Sequence, residues 1–324
     1  MIRGWCPGVH EPMPSGDGLL ARVKPPGGRR PAAALRAIAD AARRHGNGVV
    51  ELTSRGNLQL RGLSAGSAPA CAASLVAAGL ADADPARERR RNVIAVPPCD
   101  DALVAAIEAM LAGLPGLAAK FCVAVGAAEA DLVVLDGRIW AAGRAHAFSL
   151  AALRSLAEAA AGRRLGPSGA PASAPEGFLL GLPFGQVDAA ALDRLAALTD
   201  GARATPWRAL RIPAPPDPAP YAAAGFLTDP ADPRRRIAAC PGAPACASAT
   251  VPARTDAARL AALGLAGLHV SGCAKGCAHP RPGLTLVGRG GRYDLVPNGR
   301  AADPPAHRGL TLAEAARHLA ALGA

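Results

Sequence analysis

Apolar positions along the chain fall into strand-like and helix-like runs, and the same order of runs occurs twice. Asp17-Gly18-Leu19-Leu20 opens a strand-like run. Over residues 31–45, Leu35, Ile38, Ala39 and Ala42 recur at helical spacing, which predicts an amphipathic helix. Pro31 suits its first position and Gly46 its C-terminal cap. Short strands are expected near residues 49–52 and 58–61. The order returns at Glu176-Gly177-Phe178-Leu179-Leu180. A helix over 189–198 comes next, with Asp188 as N-cap and Gly201 just beyond its end. Thr205-Pro206-Trp207-Arg208 then leads into Leu210-Arg211-Ile212, so strand–helix–strand–strand occurs twice.

The match extends beyond the two units. Residues 131–145 parallel 284–301, and alanine-rich helices close the two stretches at 149–161 and 311–322. The expected organisation is a pseudo-twofold α+β protein built of small sheets backed by helices. The Gly, Pro, Ser and Ala of 162–175 read as the linker between halves. Boundaries are expected at 1–85, 86–161, 162–175, 176–220 and 221–324, with the Pro-rich segment 213–220 as a second connector.

Composition adds that the helices pack through small side chains, since half of the 324 residues are apolar but only 3% are aromatic. The net charge is +11 and nearly all arginine, with lysine only at Lys24, Lys120 and Lys275. Arginine-rich codon usage and a basic cleft for a polyanion both account for it. No recognition-helix motif, aromatic RNA-binding strand or zinc-finger spacing is present, which argues against nucleic acid as the partner. The opening MIRGWCPGVHEP has no apolar core of a secretory signal. The most apolar stretch, 102–135, is interrupted by Pro115, Lys120 and Asp131, so no membrane span is expected. The expectation is a cytoplasmic protein.

Eight cysteines in a chain of this size are not a disulfide framework, and four stand at ligand-like spacing. Cys240-x5-Cys246 is followed, after 26 intervening residues, by Cys273-x3-Cys277. Pro241, Gly242, Ala243, Gly272, Ala274 and Gly276 give these thiols a small lining that lets backbone amides approach. Four such thiolates suit a [4Fe–4S] cluster. The alternative is zinc, whose paired cysteines are usually two to four residues apart, so the x3 pair fits and the x5 pair does not. Unliganded core cysteines are the third reading. Cys71 reads as core, Cys99 follows two prolines, Cys122 reads as part of a strand, and Cys6 reads as core or turn packing.

With these cysteines, the chain resembles the sulfite and nitrite reductase superfamily over nearly its whole length. Residues 53–62, TSRGNLQLRG, are similar to its tetrapyrrole-binding arginine segment. Arg91-Asn92-Val93 resembles the second arginine segment, Leu117-Ala118-Ala119-Lys120-Phe121 the lysine segment, and Gly291-Arg292-Tyr293-Asp294 the C-terminal strand. The resemblance implies two ferredoxin-like half-units plus two α/β redox units.

Further details are similar to one branch, which hydroxylates a precorrin in aerobic cobalamin (vitamin B12) biosynthesis. They are Cys6-Pro7-Gly8, Ser15-Gly16-Asp17-Gly18, Gly46-Asn47-Gly48, Thr205-Pro206-Trp207-Arg208, Asp232-Pro233-Arg234-Arg235 and residues 272–280. Cys122 stands where sulfite reductases tend to carry a second basic residue, and the chain is compact for a siroheme enzyme. Both departures argue against siroheme and sulfite reduction.

The resemblance implies oxygen-dependent hydroxylation of precorrin-3A with lactone formation, with an iron–sulfur cluster, a non-haem iron centre, dioxygen and an electron donor such as NADH or a reductase. An anionic tetrapyrrole suits the arginine excess, because guanidinium groups grip carboxylates bidentately. Arg55, Arg61 and Arg91 are the candidate substrate clamp, and Arg55, Arg91 and Lys120 the candidate groups at the reacting face. Iron that activates dioxygen is commonly held by two histidines and a carboxylate. The sequence identifies no such set; His279, two residues after Cys277, and His10, beside Glu11, are the nearest candidates. The rival functions are a siroheme-dependent sulfite or nitrite reductase and a non-catalytic electron-transfer or zinc-structured protein.

Overall fold

The structure is a computed structural model that describes residues 7–171, 177–265 and 267–323. It divides into two compact units, residues 1–13 with 19–226, and residues 14–18 with 227–324.

In the first unit the repeat is present, with an addition. Strand Gly18–Val23, helix Ala32–His45 and strands Val49–Leu52 and Leu58–Leu63 form one copy. Strand Phe178–Gly181, helix Ala189–Leu198 and strands Gly201–Ala204 and Ala209–Ile212 form the other. Each copy also has a three-residue strand ahead of its helix and lends it to the other's sheet. Arg29–Pro31 pairs with Gly201–Ala204, and Gln186–Asp188 pairs with Val49–Leu52. Pro31 therefore ends a strand and sits at the cap, not at the first helical position expected; its extended ψ of 157° belongs to that strand.

The helix faces follow the sequence pattern. Leu35, Ile38, Ala39 and Ala42 are buried in one core with Leu192, Leu195 and Ala196 of the second helix. Burying a leucine such as Leu35 stabilises by about 1.5–3 kcal/mol. Asp188 caps the second helix by accepting from Ala191 N at 2.6 Å. Arg43, Arg44 and His45 complement the negative end of the first.

The first unit holds a further sheet. Val93–Ala95, Val123–Val125 and Leu132–Leu135 run parallel, and Arg138–Ala141 and Arg144–Ala147 continue it antiparallel. Helix Asp101–Ala112 joins the first two strands and helix Leu150–Ala159 comes after the last. The expected linker is fastened here over its first residues. Asp131, fully buried, accepts from Arg164 Nε at 2.7 Å and Leu165 N at 2.8 Å. Residues 172–176 lie outside the described residues.

The second unit repeats that topology. Ile237–Ala239, Leu268–Ser271 and Gly283–Arg289 run parallel, followed antiparallel by Arg292–Gly299 and His307–Leu310. Helix Ala253–Leu260 joins the first two strands, and Leu312–Gly323 comes last. No helix among the described residues is long and apolar enough to cross a membrane.

Candidate functional site

In the second unit, two parallel neighbours point their C-terminal ends the same way, so the loops leaving them meet at one edge of the sheet. The loop after Ile237–Ala239 carries Cys240 and Cys246, and the loop after Leu268–Ser271 carries Cys273 and Cys277. Hydrogen bonds tie the loops together and shape each one. Thr250 N donates to Gly272 O at 2.9 Å, Cys246 N to Gly242 O at 2.8 Å, and Ser271 Oγ to Cys273 O at 2.7 Å. Gly272 N donates to Cys240 Sγ at 3.0 Å. That approach requires glycine: a Cβ on Gly272 would sit 2.6 Å from Ala249 Cβ, and one on Gly242 would sit 2.3 Å from Ala253 N.

The segment 14–18 closes over the same loop. Ser15 Oγ donates to Ala245 O at 3.1 Å, and Gly16 packs against the backbone of Cys246 and Ala247. Burial, then Cys273, Cys240 and Cys246, push the Cys277 thiol above its ordinary value, with Lys275 opposing. The four sulfurs thus share one electrostatic neighbourhood. Among the described residues, no three His, Cys, Asp or Glu side chains stand close enough to hold a single metal ion. None of the described cysteines forms a disulfide, and Cys6 lies outside the described residues. The four thiols, the amide at a sulfur and the glycine-lined backbone fit the donor set of an iron–sulfur cluster.

In the first unit, Arg55 and Arg91 line one narrow cleft with Lys24, Asn57, Ile94 and Glu108. Arg55 rides on a tight turn in which Thr53 Oγ1 accepts from Arg55 N and Asn57 N, at 3.3 and 3.1 Å. Arg30 supports the turn from below, its Nη2 donating to Gly56 O at 2.9 Å. Burial, and the nearby charge of Arg203, bring the Arg30 guanidinium down to about 9, with Glu108 opposing. Arg91 donates to Glu88 at 2.7 Å and to Lys24 O at 2.6 Å. Burial raises the carboxyls of Glu88 and Glu108, and the charge of Arg91 offsets part of each rise.

Other candidates are placed differently. Arg61, expected beside Arg55 and Arg91 in the substrate clamp, is buried and paired with buried Glu51 at 3.2 Å, joining neighbouring strands. Lys120 is exposed and does not line the cleft of Arg55 and Arg91. Cys122 precedes strand Val123–Val125 instead of lying within it, its N–H donating to Asp131 at 3.0 Å. Burial pushes its thiol up, and Arg55 pulls it back. His10 Nε2 is 2.8 Å from Asp82 O, and the His279 ring faces His269 at 5.8 Å. Lys24 and Arg30 are not among the expected site residues: Lys24 stands out in sequence only as one of three lysines, and Arg30 carries no local signal.

Comparison with known proteins places the fold and the family. Residues 11–78 match the nitrite/sulfite reductase ferredoxin-like half domain. The Mycobacterium tuberculosis NirA structure superposes with a TM-score of 0.67 over 93% of this chain and 79% of that one, at 18% identity. That is a likeness of fold, and the fold is that of the sulfite and nitrite reductases. A precorrin-3B synthase from Sinorhizobium sp is 36% identical over 394 aligned positions, covering 94% of this chain and 85% of the relative. The chain belongs to the precorrin-3B synthase family.

Proposed function

We propose that this protein catalyses the oxygen-dependent hydroxylation of precorrin-3A with lactone formation in aerobic cobalamin biosynthesis, acting in the cytoplasm with NADH or a reductase as electron donor. In such a monooxygenation one atom of dioxygen enters the substrate and the other becomes water, consuming two electrons and two protons. The observation that carries the reading is the cysteine edge of the second unit, where Gly272 N reaches Cys240 Sγ within a backbone too close for side chains. Cys240, Cys246, Cys273 and Cys277 would hold a [4Fe–4S] cluster, which supplies single-electron transfer when bound.

The chain's own groups bind and orient the substrate. Arg55, half-buried on its turn, presents a guanidinium to a precorrin carboxylate. Arg91, fixed by Glu88 and Lys24, holds the cleft wall in place and adds positive charge to it. Among the described residues, no three His, Cys, Asp or Glu side chains stand where they would hold a non-haem iron.

Iron and sulfide analysis of anaerobically purified protein, with its visible spectrum, tests the cofactor, and dioxygen uptake coupled to precorrin-3A consumption tests the reaction. Loss of precorrin turnover at full iron content would overturn the substrate. A second reading, siroheme-dependent sulfite or nitrite reduction, is favoured by one observation. Cys277 is exposed at the cysteine edge, so its thiolate would be open to a haem cofactor if one were bound. A strong haem band in the purified protein would select it.

A further inference from the structure

A buried acid–phenol pair stands on the helix and strand that flank the loop of Cys240. Tyr293 Oη donates to Asp256 Oδ2 at 2.6 Å, and both residues are almost wholly buried. Asp256 lies in the first turn of helix Ala253–Leu260, whose start abuts Gly242 of the cysteine loop. Tyr293 pairs across the sheet with Gly288. Gly288 in turn packs on Gly272, the residue whose amide reaches Cys240 Sγ. Two short backbone routes therefore join the pair to Cys240. The Tyr293 hydroxyl is held well above its ordinary value by burial, then by Asp256, with Cys240 adding to the push. Arg259 is the cation on the same carboxylate, at 3.3 Å, and its side chain is 68% exposed.

We propose that Asp256 sets the reduction potential of the cluster, on the reading that the four cysteines hold one. A cluster's potential follows the net charge and hydrogen bonding around its sulfurs. A protein interior transmits charge more strongly than water does. The Asp256 carboxylate opposes an added electron, Arg259 offsets part of that effect, and Tyr293 fixes where the carboxylate stands. All three are positioning residues, acting on the cluster through its surroundings.

Potentiometric titration of the holoprotein, followed by electron paramagnetic resonance, tests this. Asp256→Asn keeps an acceptor for Tyr293 but removes the charge. The expected result is an upward shift of the midpoint at unchanged iron content, seen as a several-fold larger reduced fraction at a fixed ambient potential. Arg259→Gln, on the exposed side of the helix, should shift the midpoint downward and by less. Tyr293→Phe, which keeps the charge, should shift it less than Asp256→Asn. A purely structural pair would move thermal stability and leave these signs unordered. An unchanged midpoint in Asp256→Asn at full iron, or an upward shift in Arg259→Gln, overturns the proposal. If Asp256→Asn assembles no cluster, the sign in Arg259→Gln decides alone. Wild-type protein lacking iron and sulfide would overturn the cluster reading itself, before any potential is measured.

Discussion

The sheets starting at Val93–Ala95 and at Ile237–Ala239 have the same topology, three parallel strands followed by two antiparallel ones, yet only the second carries four cysteines on the loops that leave its first two strands. The difference lies in the loops that leave the first two strands. In the first sheet they are residues 96–100 and 126–131; in the second they are 240–252 and 272–282. Short loops close over an apolar cluster of Ile94, Val96, Cys122, Ala124 and Val133, sealed by Asp131 and Arg164. Long loops have the length to fold back on each other, as Thr250 and Gly272 do, and to collect four cysteines at one edge. A shared scaffold presents the same strand ends, and loop length and residue type decide what those ends do.

The largest expected effect separates the two sheets outright. Cys246→Ser should abolish the visible iron–sulfur absorption and lower bound iron, whereas Cys122→Ser should leave both unchanged. Iron analysis and the visible spectrum check it, and full iron in Cys246→Ser would remove the distinction between the loops.

Arg55→Ala should weaken precorrin binding by about 2–5 kcal/mol, the cost of leaving a substrate carboxylate without its charged partner. Arg55→Lys should recover only part of this, since the bidentate fork is gone. Fluorescence or absorbance titration with precorrin-3A reads it against an unchanged cluster spectrum.

Next, Asp131→Ala should destabilise the first unit by about 1–3 kcal/mol, because it leaves the Cys122 and Leu165 amides without their acceptor, while the exposed Arg164 guanidinium turns to water. Denaturant unfolding measures the loss, and the iron content of the native protein should stay at the wild-type level.

The smallest effect concerns the thiol Cys99 in the first sheet's short loop. Burial pushes its pKa up more than Arg203 pulls it down, so less thiolate is present at any given pH than on a free cysteine. Alkylation of Cys99 at pH 7–8 should be slower than that of a free thiol and should rise only at higher pH. Mass spectrometry of iodoacetamide-treated protein checks this, and reaction as fast as a free thiol would show that burial does not govern the site.

The sequence by itself determined the local elements and the spacing of the four cysteines. Helical spacing of Leu35, Ile38 and Ala42, the cap at Asp188 and the cysteine spacing are periodic or contiguous signals, so they survive without knowledge of the fold. Tertiary structure alone decided the rest. Arg29–Pro31 and Gln186–Asp188 are too short for alternation to show, and they become strands only because the other copy offers an edge. Arg61 and Arg55 look alike in sequence, six residues apart. Pairing with Glu51 commits the first to the core, and a tight turn over Arg30 leaves the second half-exposed. Asp256 and Tyr293 meet from a helix and a strand far apart in the chain. Such a contact has no local pattern, because its partners are chosen by packing and by the cost of leaving a buried polar group unpaired.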